Sequence, residues 1–374
     1  MIENIYTIGP TILGGFLFTF ASKCIPTFFS VFLLSKGYNN RDIILISSVF
    51  FLGALCVKNP YRSITNSMKI FHICATTASI ILLLQAYVTK VWIWFLIRFL
   101  QGILETLCRN CLYTLMPTTK IQLLIFFMNF GSTIGFLLMC YEEAFPFLFT
   151  ITGIVLNLSH MSLSFKKNEA EIPLPPTISP KPTKSLKDIF VKNHRLFISL
   201  ILSCLLVSTF GTLLPITLKN NGFYNKQILP IMFIGSLGHT LIQMANYYLK
   251  NILGDNNDMK MHIYSLFILY ICFFFSLRFA PFLISIFVFF IIGLHQSLHS
   301  NITSLVREEN QSSPLQIRYA TSQINNIGAI SASIIALMFI SAFPKYGIFG
   351  LWFLCLILIR FLIKNSISHM AVNH

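Results

Sequence analysis

Charge is what this sequence has least of. Only 10% of its 374 residues are charged, and just 12 are acidic. A soluble domain carries about 25% charged residues, so a water-covered surface around one globular core is excluded. Other signals are missing as well. No basic stretch precedes the first apolar run, which is also too long for a secretory leader, so no cleaved leader is expected. There is no phosphate-binding loop and no cytosolic domain to couple the chain to ATP. The formal net charge is +15, but the basic residues do not cluster with aromatics on a soluble face, so no nucleic-acid partner is expected. Nine cysteines (24, 56, 74, 108, 111, 140, 204, 272 and 355) lie mostly inside apolar runs. Their odd number and their spacing argue against a disulfide framework. Cys108 and Cys111 form one CxxC, read as small packing residues.

What is present is apolar length. Hydrophobic residues make up 55% of the chain and recur in runs near the roughly twenty residues that cross a bilayer as a helix. Lipid offers no water to backbone groups, so each segment satisfies its own hydrogen bonds, which a helix does. A barrel would need short alternating strands, and the runs here are continuous. The fold class expected is all-α, a polytopic membrane protein. Spans are read at 10–34, 42–58, 70–89, 91–115, 121–141 and 144–164, then 195–218, 227–249, 261–279, 281–305, 316–340 and 346–363. That makes about twelve. Little loop separates the third and fourth spans of each half, which leaves eleven as the alternative count.

One long polar segment interrupts the series, at 165–194. It holds Pro173, Pro175, Pro176, Pro180 and Pro182 among six lysines. Proline at this density prevents a helix and the charge excludes lipid. The segment is expected to be a linker between an N-terminal six-helix bundle (1–164) and a C-terminal one (195–374). Lys and Arg mark the side of the membrane. With both termini inside, Lys58, Arg62, Lys69, Lys120, the linker lysines, Lys250, Lys260, Arg307 and Arg318 fall in cytoplasmic loops. Fewer basic residues, such as Lys36, Lys90 and Lys345, fall outside. Both termini are therefore expected to be cytoplasmic.

The halves repeat. Leu33 to Ile43 (LLSKGYNNRDI) aligns with Leu218 to Ile228 (LKNNGFYNKQI) at an offset of 185, and Gly53 then matches Gly238. Weaker echoes pair Gly102 with Gly293, and Asn129-Phe130-Gly131 with Asn326-Ile327-Gly328. Parallel repeats of six helices about an axis along the membrane normal are a transporter architecture.

Arg98-Phe99-Leu100-Gln101-Gly102 in the fourth span looks like the R-x-x-Q-G of the major facilitator superfamily. The Gly-aromatic-x-Asn-basic-x-Ile turns after spans one and seven are similar to that family's outer loops. The resemblance runs along essentially the whole chain and is to the short bacterial type. It implies a secondary transporter that moves a small solute by alternating access, with a proton or nothing as coupling partner. It also implies a monomer in the bacterial inner membrane, with no enzyme activity and no cofactor. Two departures stand out. Lys58-Asn59-Pro60-Tyr61-Arg62-Ser63-Ile64 lacks the acid and glycines of the family's loop after helix two, so the motif that supplies its conformational latch is degenerate here. Gly131-Ser132-Thr133-Ile134-Gly135 lacks the proline of the antiporter motif, which leans away from drug antiport. A transport-inactive receptor or scaffold is the alternative that the degenerate loop supports.

Charges inside spans mark candidate sites, because insertion there costs at least about 2.5–3.5 kcal/mol. Glu105 is the only acid deep in a span. Arg109 is one turn on at same-face spacing, and Arg98 two turns back. One reading is a buried ion pair that fixes packing; the other is a cavity-facing Arg98 that binds solute, with Glu105 gating a proton. Gln101 comes with the R-x-x-Q-G resemblance. Lys23 lies mid-span with no acid in its own helix. If Glu105 pairs with Arg109, Lys23 and Arg98 leave a positive cavity that favours an anionic solute. His239, His295 and His299 can titrate or hydrogen-bond. His295-Gln296-Ser297-Leu298-His299 imitates the zinc-protease H-E-x-x-H, yet Gln296 cannot act as a base and no third ligand is evident, so no metal is expected. Asn129 and Asn326 read first as interhelical hydrogen-bonding residues and second as solute contacts.

Overall fold

The computed structural model describes the backbone of residues 2–57, 67–85, 87–116, 121–139, 145–164, 194–253, 258–277, 281–309, 314–342 and 347–372. Among these, regular structure is helical throughout, in twelve helices. The first six are α1 (Ile2–Ser35), α2 (Asn40–Leu55), α3 (Ser67–Gln85), α4 (Val91–Thr114), α5 (Ile121–Met139) and α6 (Phe145–Ser164). The second six are α7 (His194–Asn220), α8 (Asn225–Leu253), α9 (Asp258–Ser276), α10 (Pro281–Glu309), α11 (Pro314–Ala342) and α12 (Gly347–Val372). By length and composition α3, α4, α7, α8, α9 and α10 are apolar enough to cross a membrane, and α1, α5 and α12 carry shorter apolar stretches. The loop at 58–64 and the segment 165–193 lie outside the described residues.

Local chemistry sets the turns. α1 ends where Gly37 takes φ 81°, and the Tyr38 N–H donates to the Leu33 carbonyl at 3.0 Å. α7 ends the same way, with Gly222 at φ 87° and the Phe223 N–H donating to Leu218 at 3.1 Å. This six-to-one bond is the Schellman closure, and it needs a left-handed residue that glycine supplies without a Cβ clash. The helices that follow are capped by side chains. The Asn39 side chain accepts from the Asp42 N–H at 2.8 Å at the start of α2. At the start of α8 the Gln227 side chain reaches back to accept from the Tyr224 N–H at 3.0 Å, as the third residue of a capping box does.

Packing repeats with the same six-helix step. α1 lies on α5 and α6, α2 on α4, and α3 on α4 and α6. In turn α7 lies on α11 and α12, α8 on α10, and α9 on α10 and α12. The two sets meet through α2 against α11 and α5 against α8, contacts that the same step interchanges. Glycines make the tightest crossings. A Cβ on Gly53 would strike the Phe99 backbone and one on Gly102 the Phe50 carbonyl; Gly238 likewise faces the Phe289 backbone. Such small-residue contacts bring helix backbones together where lipid gives no hydrophobic drive.

Candidate functional site

Between the two sets of helices lies a cavity of about 440 Å³. Each wall is one helical stripe, because residues three or four apart share a face. Arg109 and Tyr113 come from α4, Asn129 and Ser132 from α5, and Ser236 and His239 from α8. His295, Gln296 and His299 come from α10, with Thr19 from α1, Phe210 from α7 and Asn325 from α11. Both halves of the chain therefore contribute. Among the described lining residues Arg109 is the one Lys or Arg, and none carries a carboxylate.

The two α10 histidines are held by protein partners. The Asn325 amide donates to His299 Nε2 at 3.1 Å, which leaves the proton on Nδ1 to be donated to Ser203 Oγ at 2.9 Å. Ser203 passes its own proton to the Leu200 carbonyl at 3.0 Å. This places His299 as a neutral imidazole in one tautomer. His295 Nε2 is hydrogen-bonded to the buried hydroxyl of Tyr270. Behind it stand Phe210 and Trp352, with Tyr270 stacked on Trp352 at a centroid distance of 4.9 Å. The Trp352 indole N–H donates to Thr209 Oγ1 at 3.0 Å. Both His299 nitrogens and His295 Nε2 are thus engaged, so the pair does not present the two open nitrogens that an H-E-x-x-H zinc site requires.

A polar seam runs beside the cavity where α5 meets α8. Asn129 donates to Gln243 Oε1, and Thr133 and Thr240 share a hydrogen bond of 2.7 Å. Thr133 also donates to the Ser236 carbonyl at 3.2 Å. Spacings of four on α5 and of four and three on α8 keep these groups in register along one interface.

The sequence candidates divide. Arg109, His239, His295, His299 and Asn129 line the cavity. Arg98, Gln101 and Glu105 do not; each is at most 2% exposed, inside the first set of helices. Arg98 Nη1 donates to Gln101 Oε1 at 2.8 Å, Gln85 of α3 donates to the same oxygen at 2.9 Å, and the guanidinium stands 4.8 Å from the Phe50 ring of α2. Glu105 acts electrostatically on Arg98 from the same helix. Asn326 is not in the lining, whereas its neighbour Asn325 is. Lys23 lies in α1, and its side chain lies outside the described ones. Thr19, Tyr113, Ser132, Phe210, Ser236 and Gln296 are lining residues that the sequence did not single out as site residues. Hydroxyls and aromatics occur throughout membrane helices, and only the register of each helix against its neighbours distinguishes these.

The family described as Major Facilitator Superfamily matches the chain over residues 11–333. No curated protein sequence matches it. Among solved structures, the nucleoside transporter NupG and a point mutant of it are each similar with a TM-score of 0.66 at 17% identity. Each match spans 98% of this chain, with 98% of the NupG chain and 99% of the mutant covered. At that identity the likeness is one of fold.

Proposed function

The chain belongs to the major facilitator superfamily, and from that premise we propose that it moves a small, hydrogen-bonding solute by alternating access, with an anionic or electron-rich group of the solute held by Arg109. The observation that carries this reading is the cavity between the halves, whose described lining residues offer one guanidinium, no carboxylate and several amide, hydroxyl and imidazole groups. A guanidinium is always charged and presents a planar fork of donors to an anion. Residues 1–164 and 195–374 are the two bundles on this reading, joined by a cytoplasmic linker at 165–194, with both termini cytoplasmic and the chain acting as a monomer.

Proton coupling belongs to the same proposal. Its carriers are Glu105, buried behind the cavity, or the cavity histidines His239, His295 and His299. Glu105→Gln leaving the pH dependence of uptake intact assigns the step to the histidines.

Solute counterflow in proteoliposomes tests the core of the reading. Monoanionic metabolites are expected to exchange, and Arg109→Gln is expected to lower exchange about 10- to 100-fold at unchanged membrane abundance, the effect of losing one hydrogen bond to a charged group. Equal exchange of uncharged nucleosides by both forms would sink the anion assignment. Folded protein that exchanges nothing would favour the receptor reading.

A further inference from the structure

Arg360 is in an unusual place for an arginine. It lies in α12 inside the apolar stretch Phe349–Ile363, and it is exposed on the outer face of the molecule. Ile357 and Phe361 beside it are exposed too, at 54% and 62%. Across the groove, α9 presents Tyr264, half exposed, and Lys260 one turn further toward the same end of the bundle. The Arg360 guanidinium sits 4.3 Å from the centre of the Tyr264 ring. Deeper in, the two helices are held together by Phe267 against Phe353 at 4.5 Å and by Tyr270 stacked on Trp352.

We propose that this outer groove between α9 and α12 binds the headgroup phosphate of an anionic phospholipid. Three observations point there. Arg360 lies four residues before Lys364, which ends the apolar run of α12, and Tyr264 four after Lys260, where that of α9 begins. At the helical rise these are depths of about 5–8 Å, where acyl chains meet headgroups. Second, the cation–π contact with Tyr264 holds the guanidinium at the groove without using up its N–H donors, which match a phosphate in bidentate geometry. Third, Lys260 adds a second cation on the same face, and basic groups between helices near a membrane surface are how anionic headgroups are recognised. No carboxylate is paired with Arg360 among the described residues. The exposed apolar side chains around it, Ile357, Phe361 and Ile268, fit acyl chains, which selects a lipid over a soluble phosphate.

Native mass spectrometry of the full chain, released from bilayers of mixed phosphatidylglycerol and phosphatidylcholine, tests the site. Each surface cation contributes roughly a fivefold preference for anionic lipid. Wild type is therefore expected to retain phosphatidylglycerol preferentially, Arg360→Gln to lose most of that preference, and Tyr264→Leu to lose part of it at full charge. Solute counterflow is expected to continue in both variants, which separates this site from the cavity. An unchanged lipid ratio in Arg360→Gln and Tyr264→Leu overturns the proposal, as plain snorkelling of the arginine predicts. Displacement of the lipid by millimolar inorganic phosphate overturns the choice of a lipid.

Discussion

Two arginines eleven residues apart on α4 sit in different surroundings, and burial separates them. Arg109 opens on the cavity, while Arg98 is enclosed by Phe50, Gln101 and Gln85. The buried position favours a packing role for Arg98, in which it shares the Gln101 carbonyl oxygen with Gln85 and so ties α3 and α2 to α4. Arg98→Ala would remove one donor from that oxygen and the charge from the Phe50 ring. Together these are worth about 1–3 kcal/mol for the hydrogen bond and up to about 2 for the cation–π contact. Lowered membrane abundance and a lowered melting temperature are expected, with Arg98→Lys restoring part of both. Arg98→Ala protein of normal abundance and stability that exchanges no solute would return the residue to a functional role. The sequence picks out the charged residues of the spans, because charge in a span is costly wherever it sits. It could not tell which arginine faces the cavity. That depends on the rotation of α4 against its neighbours, and a row of residues at three- and four-residue spacing reads the same for either face. Asn325 and Asn326 show the same limit, since one residue along a helix turns a side chain by about 100°.

Element by element, the repeat was the most legible feature. Gly37 and Gly222 stand at the same offset of 185 and close the same turn with the same left-handed backbone. Gly53 and Gly238 at that offset, with Gly102 and Gly293 beside them, make the same backbone crossings. The pairing is physical, because a glycine at a crossing cannot be replaced without moving a helix. Gly102→Ala is expected to destabilise by about 1–3 kcal/mol through overpacking, whereas Gly350→Ala, where a Cβ meets nothing within 4 Å, should change little. Thermal unfolding of the two variants in detergent gives the comparison, and equal melting points would refute the crossing argument. Helix ends were less legible than helices. α1 begins at Ile2 and α12 continues to Val372, beyond the apolar stretches at 10–34 and 346–363. Asn4, Lys364 and Asn365 lower hydropathy but do not break a helix, whose backbone bonds are satisfied internally in lipid and in water alike.

At the scale of the whole molecule, the main contacts between halves form a symmetric pair, α2 with α11 and α5 with α8, while α1 also touches α7 and α8. The second of the pair carries a ladder of hydrogen bonds among the described residues, from Thr133 and Asn129 to Ser236, Thr240 and Gln243. At the first, the Gln323 amide donates to the Val57 carbonyl at 3.3 Å. Hydroxyl and amide bonds between membrane helices average about 0.6 kcal/mol, so such a ladder holds the halves together without locking them. On the alternating access proposed above, that strength suits an interface that opens and re-forms in each cycle. A covalent bond in its place would be too strong. Thr133→Cys with Thr240→Cys, in a background cleared of native cysteines, is expected to form a disulfide under mild oxidation, because the two hydroxyl oxygens are only 2.7 Å apart. The cross-linked protein is expected to bind solute and not exchange it, and reduction should restore counterflow. Each single variant should exchange under both conditions. Full exchange by protein shown on a gel to be cross-linked would mean that α5 and α8 move as one body, and that the halves do not rock at this seam.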